Sequence, residues 1–197
     1  NGDFTDTIYL TVTVTDVAEA PLILQPVAGS HYVREGTRFA LPFSARPQGK
    51  GLPTYSLGGE HAALFKLEAE KGRILFVNTP DFESVPRELL SLGYDLRIIA
   101  EANGVENARD VRVLISDVNE GPTGFSLSSN SVPEDSSSGT AVGNFRSFDP
   151  EGGALSYTLE DANSANQNQH FSLNGDQLIL ASSLSKGTYV VHARVTD

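Results

Sequence analysis

Short segments in which apolar and polar residues alternate run through almost the whole chain. Residues 7–14 show the pattern most clearly, because Ile, Leu and Val occupy every second position between Thr and Tyr. Strict alternation of this kind is typical of a β-strand that turns one face to a core. Gly, Pro and Asn separate such segments at intervals of roughly 8–12 residues. Residues 87–92 favour one helical turn, and the rest of the pattern predicts an all-β protein.

The predicted strands fall into two sets, one on either side of residues 117–122. The first set comprises residues 22–24 with 32–34, then 38–43, 54–57, 65–68, 73–77, 94–101 and 108–115. The second set comprises residues 125–127 with 131–132, then 140–145, 155–160, 170–173, 177–180 and 188–196. The first set supplies the strands of a seven-stranded Greek-key β-sandwich of the immunoglobulin-like kind, and the second set is one strand short of it.

A short acidic motif occurs at two strand ends, as D-V-A-E-A-P at 16–21 and as D-V-N-E-G-P at 117–122. The two copies are about one hundred residues apart, which is the size of one such sandwich. We therefore predict tandem domains. Residues 1–21 are the last strand and linker of a preceding repeat, 22–121 a complete repeat, and 122–197 a repeat without its last strand. Since the chain has no signal peptide and no Met, we expect it to be a piece of a longer protein.

Residues 3–15 have the length and the alternation of the strand that the last domain lacks. An intramolecular connection would have to cross the intervening domain, roughly 40 Å or more. We therefore expect any such pairing to join neighbouring molecules, as a filament or as a reciprocally exchanged dimer. The alternative is that the boundary is arbitrary and that this strand stays unpaired.

Composition narrows the function. The formal net charge is −11, which argues against nucleic acid as a partner because phosphates need Lys and Arg. The chain has no Cys, which excludes disulfides and thiol chemistry. It also lacks the run of ~18 apolar residues that a membrane-spanning helix needs, so this fragment is not expected to insert into a membrane.

The motif at 117–122 places two carboxylates and an amide in four residues, followed by a proline that fixes the backbone. Such a segment is too acidic for a core, and closely spaced hard oxygen donors are the ligands that Ca²⁺ prefers. An isolated motif of this type would more simply be a solvated acidic turn. The positions of the other acidic residues favour the metal.

The same motif resembles D-x-N-D-N-x-P-x-F, the sequence that closes each repeat of the cadherin family, with one extra residue before Phe125. The other cadherin motifs are present in family order. They are an early Glu (Glu35), a D-x-E pair (Asp81 and Glu83), a D-x-D with Glu as its second member (Asp149 and Glu151) and a late Asp (Asp197). The family resemblance therefore covers a whole junction between two repeats.

This resemblance implies about three Ca²⁺ ions at the junction between domains 22–121 and 122–197. The ligands that it implies for two ions are Glu35, Asp81, Glu83, Glu120 and the carbonyl of Val118. Those for the third ion are Asn119, Asp149, Glu151 and Asp197. With Asp117 these residues include eight carboxylates, which would repel one another without cations. Bound Ca²⁺ would then fix the angle between two domains that share little interface.

The neighbouring junctions depart from the family. The motif at 16–21 has Ala18 in place of Asn, and Arg46 to Gln48 stand at the expected D-x-D, with Glu101 in place of the late Asp. The last domain keeps an early Glu, Glu134, but has Ser-Ser-Leu-Ser at 182–185 where a D-x-E belongs. We expect both junctions to bind little or no calcium.

The resemblance implies a calcium-binding tandem of a secreted or cell-surface protein, extracellular and serving adhesion, including homophilic adhesion, or acting as an extended spacer. The motif variants and the Thr-, Asn- and Gly-rich turns are more similar to repeats of bacterial adhesins, membrane-associated as whole proteins, than to vertebrate junctional cadherins. Since no Trp is present, a Trp-dependent strand exchange is excluded.

Two further function classes remain as alternatives. A carbohydrate-binding module would attach a surface protein to polysaccharide, but its aromatic platforms would have to come from Phe and Tyr that mostly occupy alternating strand positions. An enzyme is not expected, because neither a nucleophile motif nor a phosphate loop is present. Asp81 and Glu83 could in principle form an acid/base pair, and the four His lie scattered without the spacing of a metal site. No catalytic residues are assigned.

Overall fold

The computed structural model describes residues 6–49, 51–160 and 167–197. It divides into two compact units, Asn1–Val118 (unit 1) and Asn119–Asp197 (unit 2). Each unit is described by itself.

Unit 1 is built from nine strands and one short helix in its described part. They are β1 (Leu22–Gln25), β2 (Gly29–Arg34), β3 (Phe39–Pro42), β4 (Ser44–Arg46), β5 (Thr54–Gly58), β6 (Phe65–Glu68), β7 (Arg73–Phe76), α1 (Arg87–Leu92), β8 (Tyr94–Ala102) and β9 (Val105–Ser116). Single turns of 3₁₀-helix at Ala62–Leu64, Ala69–Lys71 and Phe82–Ser84 join some of them.

Two main sheets make up unit 1. One has the order β2-β9-β8-β5 and the other β3-β7-β6, while β1 pairs separately with β4. Strands β8 and β9 form a long antiparallel hairpin, and β2 joins the far side of β9 in a parallel pair that runs from Gly29 with Val111 to Arg34 with Ser116. Because the two strands run in the same direction, the residues that follow them emerge at the same edge of the sheet.

Alternation places the core of unit 1 between the sheets. Strand β8 buries every second residue along its length, as the period of two requires. Ile74, Ile98 and Val113 are fully buried, and the rings of Phe65, Phe76 and Tyr94 pack against one another. These contacts join β6, β7, β8 and β9 in one core.

Unit 2 repeats this strand order with fewer elements. Its described strands are β10 (Thr123–Leu127), β11 (Ala141–Phe148), β12 (Ser156–Leu159), β13 (Phe171–Asn174), β14 (Gln177–Leu180) and β15 (Ala193–Thr196). One sheet has the order β10-β11-β14-β13, and the second consists of β12 and β15. All of its pairs are antiparallel. Its buried apolar side chains are Phe145, Leu178, Leu180 and Leu184.

Most predicted strands and the helical turn at 87–92 form at the expected positions. Three segments differ. Residues 7–14 form no strand, residues 131–132 form none, and of 188–196 only Ala193–Thr196 is extended in a ladder. Alternation makes a segment suitable for a sheet, but a strand also needs a neighbouring strand, and none of the described residues supplies one here. Residues 3–5 of the segment predicted to exchange lie outside the described residues. Among the described helices none has the length and apolarity to cross a membrane.

Candidate metal centre

Three carboxylates meet at one edge of unit 1. Oxygen atoms of Glu35, Glu83 and Asp117 all lie within 4.8 Å of one another. Glu35 follows the end of β2 and Asp117 follows the end of β9, so the parallel register described above brings them together. The Glu35 amide also donates to the carbonyl of Ser116 at 3.2 Å. Glu83 comes from the 3₁₀ turn Phe82–Ser84.

Glu35 is the fixed member of this cluster. Its side chain is buried, with 6% of the residue exposed. One carboxylate oxygen accepts from the amide of Phe82, and the other accepts from the amide of Val118 at 2.7 Å. Both partners are distant in sequence, by 47 and 83 residues, so these bonds hold the β2 end, the 3₁₀ turn and the β9 end in one arrangement.

Asp81 was predicted as a calcium ligand, and in the structure its carboxylate accepts hydrogen bonds within its own turn. Its carboxylate accepts from the Ser84 amide at 3.3 Å and from the Ser84 hydroxyl at 3.1 Å. It therefore caps the 3₁₀ turn that carries Glu83. Asp81 does not belong to the three-carboxylate cluster, but it orients the backbone of the turn from which one member projects.

In unit 2, two side-chain contacts join the start of the unit to distant residues. Asn119 donates from Nδ2 to a carboxylate oxygen of Asp197, the residue after β15. The Glu120 amide donates to Oε1 of Glu151 at 3.0 Å. All four residues were predicted as ligands, and each pair lies in one place although its members are 78 and 31 residues apart.

Asp149 and Glu151 stand in the turn that follows β11. Asp149 is buried, with 5% exposed, and its Oδ1 accepts from the amide of Gly153 at 3.0 Å. The other carboxylate, Glu151, has its Oε2 buried with no hydrogen-bond partner among the described residues. A buried carboxylate oxygen without a donor costs free energy, and a cation would remove that cost.

The donor set suits a hard cation. It consists of carboxylate and amide oxygens, with no Cys in the chain and no His in the carboxylate cluster of unit 1. Ca²⁺ takes about 6–8 oxygen ligands, whereas Zn²⁺ prefers nitrogen and sulfur. The clustered like charges and the partnerless oxygen of Glu151 both fit Ca²⁺. Binding by any of the predicted ligands, including Asp81 and the carbonyl of Val118, stays a prediction.

Sequence reasoning missed the groups that hold the carboxylates in place. The amides of Phe82 and Val118 bind Glu35, and the amide of Gly153 binds Asp149. The motifs contain all three residues, but a backbone donor carries no signal in the side-chain sequence. Only the role of Gly153 could have been suspected from the sequence, because a Gly-Gly pair shortly after Asp149 indicates a tight turn.

Comparison with solved structures shows what this chain is similar to. The two-domain EC1-2 fragment of human protocadherin-24 (form II) aligns with a TM-score of 0.56 and 20% identity, over 90% of this chain and 86% of that one. A second structure of human protocadherin-24 EC1-2 gives 0.51 and 16%, over 91% and 87%. Drosophila N-cadherin EC1-4 gives 0.51 and 18%, over 90% of this chain and 48% of its own.

No protein-family model matches the chain, and no curated protein matches it significantly. The structural matches establish a cadherin-like fold and confirm the predicted all-β class of tandem sandwiches. They do not separate the bacterial adhesin type from other cadherin-like proteins, so that part stays a prediction.

Proposed function

We propose that this chain is a calcium-binding tandem of cadherin-like domains from an extracellular or cell-surface protein. The observation that carries the proposal is the convergence of Glu35, Glu83 and Asp117 within 4.8 Å in a chain with a cadherin-like fold. Three carboxylates at this separation repel one another. A bound divalent cation turns that repulsion into attraction, so these three carboxylates stabilise the folded state only when the cation is bound.

Each unit contributes its own ligands. In unit 1 they are Glu35, Glu83 and Asp117, with Asp81 and the carbonyl of Val118 as further donors. In unit 2 they are Asn119, Glu120, Asp149, Glu151 and Asp197. The orphaned Oε2 of Glu151 supports a cation at this set of residues, and about three ions is the number that the family resemblance implies.

The mechanism that we propose is mechanical. Ligands occupy four consecutive positions, Asp117 to Glu120, in the segment where the chain passes from one unit to the next. Cations held by Asp117 at one end and by Asn119 at the other would reduce the freedom of that short backbone. Calcium would thereby stiffen the connection, as an adhesive or spacer protein requires.

A calcium-dependent melt tests the site. We expect millimolar Ca²⁺, the range of extracellular modules, to raise the melting temperature above that in EDTA. At 100 times Kd the stabilisation is about 2.7 kcal/mol. Glu83→Gln removes one charge at an exposed position and should lose most of this gain. Its matched control, Glu88→Gln, changes an exposed carboxylate of α1 outside the cluster and should keep it.

Unit 2 receives its own pair of variants in the same melt. Asp149→Asn should reduce the calcium response, and Asp135→Asn should not. Asp135 is exposed and has a φ of 62°, a conformation that Asn tolerates well. A melting temperature that ignores Ca²⁺, or a response that both members of each pair retain, would contradict calcium binding by these residues.

A non-enzymatic role accompanies this proposal. The homophilic and glycan partners, the adhesin-type origin and the carbohydrate-binding alternative stay predictions from the sequence. Of the aromatic rings that such a glycan site could use, Phe65, Phe76 and Tyr94 are packed in the core of unit 1, whereas Tyr32 and Phe148 are 76% and 64% exposed.

A further inference from the structure

A residue outside the predicted ligand set holds both carboxylate oxygens of Asp81. The amide of Ser84 donates to Oδ1 at 3.3 Å, and the Ser84 hydroxyl donates to Oδ2 at 3.1 Å. Together the two bonds restrict the rotation of the carboxylate about χ2, which is a soft torsion in a free Asp side chain. An ionised carboxylate has about four acceptor positions, so these bonds leave room for a cation on the same oxygens.

The backbone of this turn is held by contacts that do not involve that hydroxyl. The Gly36 amide donates to the carbonyl of Pro80 at 3.0 Å, and the Phe82 amide donates to the carboxylate of Glu35. Within the turn, the Val85 amide donates to the carbonyl of Phe82 at 3.1 Å, and Val85 is buried. Removal of the hydroxyl therefore leaves the backbone of the turn in place and releases the carboxylate that the hydroxyl holds.

The orientation of Asp81 bears on the carboxylate cluster of unit 1. Asp81 begins the same 3₁₀ turn that carries Glu83, and an oxygen of Glu83 lies within 4.8 Å of oxygens of Glu35 and Asp117. The Ser84 hydroxyl thus orients one predicted ligand and stabilises the turn from which a second projects. Groups that hold metal ligands without touching the metal raise affinity, because the ligand is already oriented when the ion arrives.

We propose that Ser84 is a positioning residue for calcium in unit 1. Its hydroxyl holds the carboxylate of Asp81 in the orientation that the cation needs, so the cation does not have to immobilise that side chain when it binds. The inference rests on the proposed calcium site and adds to it a residue that lies outside the D-x-E pair. Ser84 is exposed and uncharged, so its effect on calcium passes through Asp81 and not through a charge of its own.

The test is the calcium dissociation constant of unit 1, measured by NMR on the labelled 197-residue chain as CaCl₂ is added. The amides of Phe82 and Val118 are the probes, because both donate to Glu35. Ser84→Ala should raise the dissociation constant about threefold to tenfold, less than the roughly 10–100-fold typical of such partners, because this hydrogen bond is exposed. Ser84→Thr keeps a hydroxyl donor and should restore the constant to within about twofold of the wild-type value.

Ser91→Ala is the matched control. The Ser91 hydroxyl is also exposed and also donates to a residue three positions earlier, the carbonyl of Glu88 at 3.3 Å, but it belongs to α1 and lies outside the carboxylate cluster. Its removal should leave the dissociation constant within about twofold of the wild-type value, as surface substitutions usually do. A merely structural role of Ser84 would lower the melting temperature in EDTA and leave the dissociation constant unchanged.

A double-mutant cycle identifies the group through which Ser84 acts. Asp81→Asn replaces one carboxylate oxygen by an NH₂ group, so the side chain can no longer accept from the amide and the hydroxyl of Ser84 through two oxygens. In this background Ser84→Ala should change the dissociation constant by less than about twofold, because two residues that act through one contact have effects that do not add.

Three outcomes would overturn the proposal. They are an unchanged dissociation constant in Ser84→Ala, a lower one, which would mean that the hydroxyl competes with the cation for Asp81, or a full effect of Ser84→Ala in the Asp81→Asn background. All three leave the proposed function intact, because the wild-type chain still binds calcium in each of them. A wild-type chain whose amides do not respond to calcium would instead overturn the proposed function and this inference together.

Discussion

Units 1 and 2 share a strand order but differ in how completely their cores are closed. In unit 1, β9 lies between β2 and β8 and buries an apolar face. In unit 2, β15 pairs only with β12 among the described strands, and only four of the described buried apolar residues belong to this unit. The comparison shows how large a share of a core one central strand supplies.

The two units also differ in the ligands that they offer at equivalent positions. Strand β3 pairs with β7 in the same register as β11 with β14, so Phe43 and Phe145 are equivalent positions. On the same numbering, Asp149 is equivalent to Pro47, and Glu151 is equivalent to Gly49. Strand β12 pairs with β15 in the same register as β5 with β8, so Asp197 is equivalent to Ala102. These equivalences shift the alignment expected from the sequence by one residue, because Arg46 and Glu101 had been the expected counterparts. Unit 1 therefore has no side-chain carboxylate at any of the three positions.

The largest effect that we expect comes from a pair of matched core truncations. Ile74 in β7 and Leu178 in β14 occupy equivalent positions, with 0% and 2% exposed. Ile74→Ala should destabilise unit 1 by about 3–5 kcal/mol because a closed core keeps the cavity. Leu178→Ala should destabilise unit 2 by about 1–2 kcal/mol less than that, because fewer buried apolar side chains surround Leu178 and they can relax more easily into the space left behind.

Urea unfolding followed by amide exchange would report the two units separately. Equal losses from the two truncations would show that the smaller number of buried apolar side chains does not weaken the core of unit 2.

A medium effect is expected from Glu35→Gln in the absence of calcium. The carboxylate accepts from two amides, whereas a Gln side chain has one acceptor oxygen and would turn its NH₂ group towards the other amide. We expect a loss of about 1–3 kcal/mol, measured by urea unfolding in EDTA. Under the same conditions Glu83→Gln should cost less than Glu35→Gln, because it removes one of three carboxylates that repel one another when no cation is bound. Equal effects would mean that Glu35 acts only through calcium.

The smallest effect concerns pH and unit 1 alone. Arg73, with Lys71 and Lys66, lowers the pKa of Glu68 from 4.5 to about 2, and Glu68 contacts Arg73 at 2.8 Å. Since the folded state holds this carboxylate ionised, its contribution to stability is complete above pH 4.5 and is lost as the pH falls towards 2.

Glu68→Gln should therefore lower the melting temperature slightly at pH 7 and by less at pH 2, which is close to the pKa of Glu68 in the folded state. Because the ion pairs lie at the surface, their contribution is small and should decrease further in 0.5 M salt. A larger deficit at pH 2 than at pH 7 would contradict this assignment.

Much of the fold could be predicted from the sequence because strand alternation is a local property. Residues 94–102 alternate along their whole length and residues 110–116 do so as well, and the strands predicted at 94–101 and 108–115 both form. The strand at 131–132 failed because its counterpart in unit 1, β2, depends on pairing with β9, and unit 2 has no described strand in that place.

The sequence predicted which residues belong to the candidate site, but it did not predict how their side chains are arranged. The spacing of Glu35, Glu83 and Asp117 along the chain identified them through a family resemblance. Nothing local indicated that Glu35 would be buried between two backbone amides, or that Asp81 would cap a turn. Hydrogen bonds across 83 residues arise from chain topology, which no window of sequence contains.

The sequence by itself determined the all-β class and the types of atoms available for a cation, because each depends on residue identity and short-range period. Only the tertiary structure decided which carboxylates meet and which one is buried. Those outcomes depend on which strands pair, and pairing is fixed by the simultaneous burial of side chains that lie far apart in the chain.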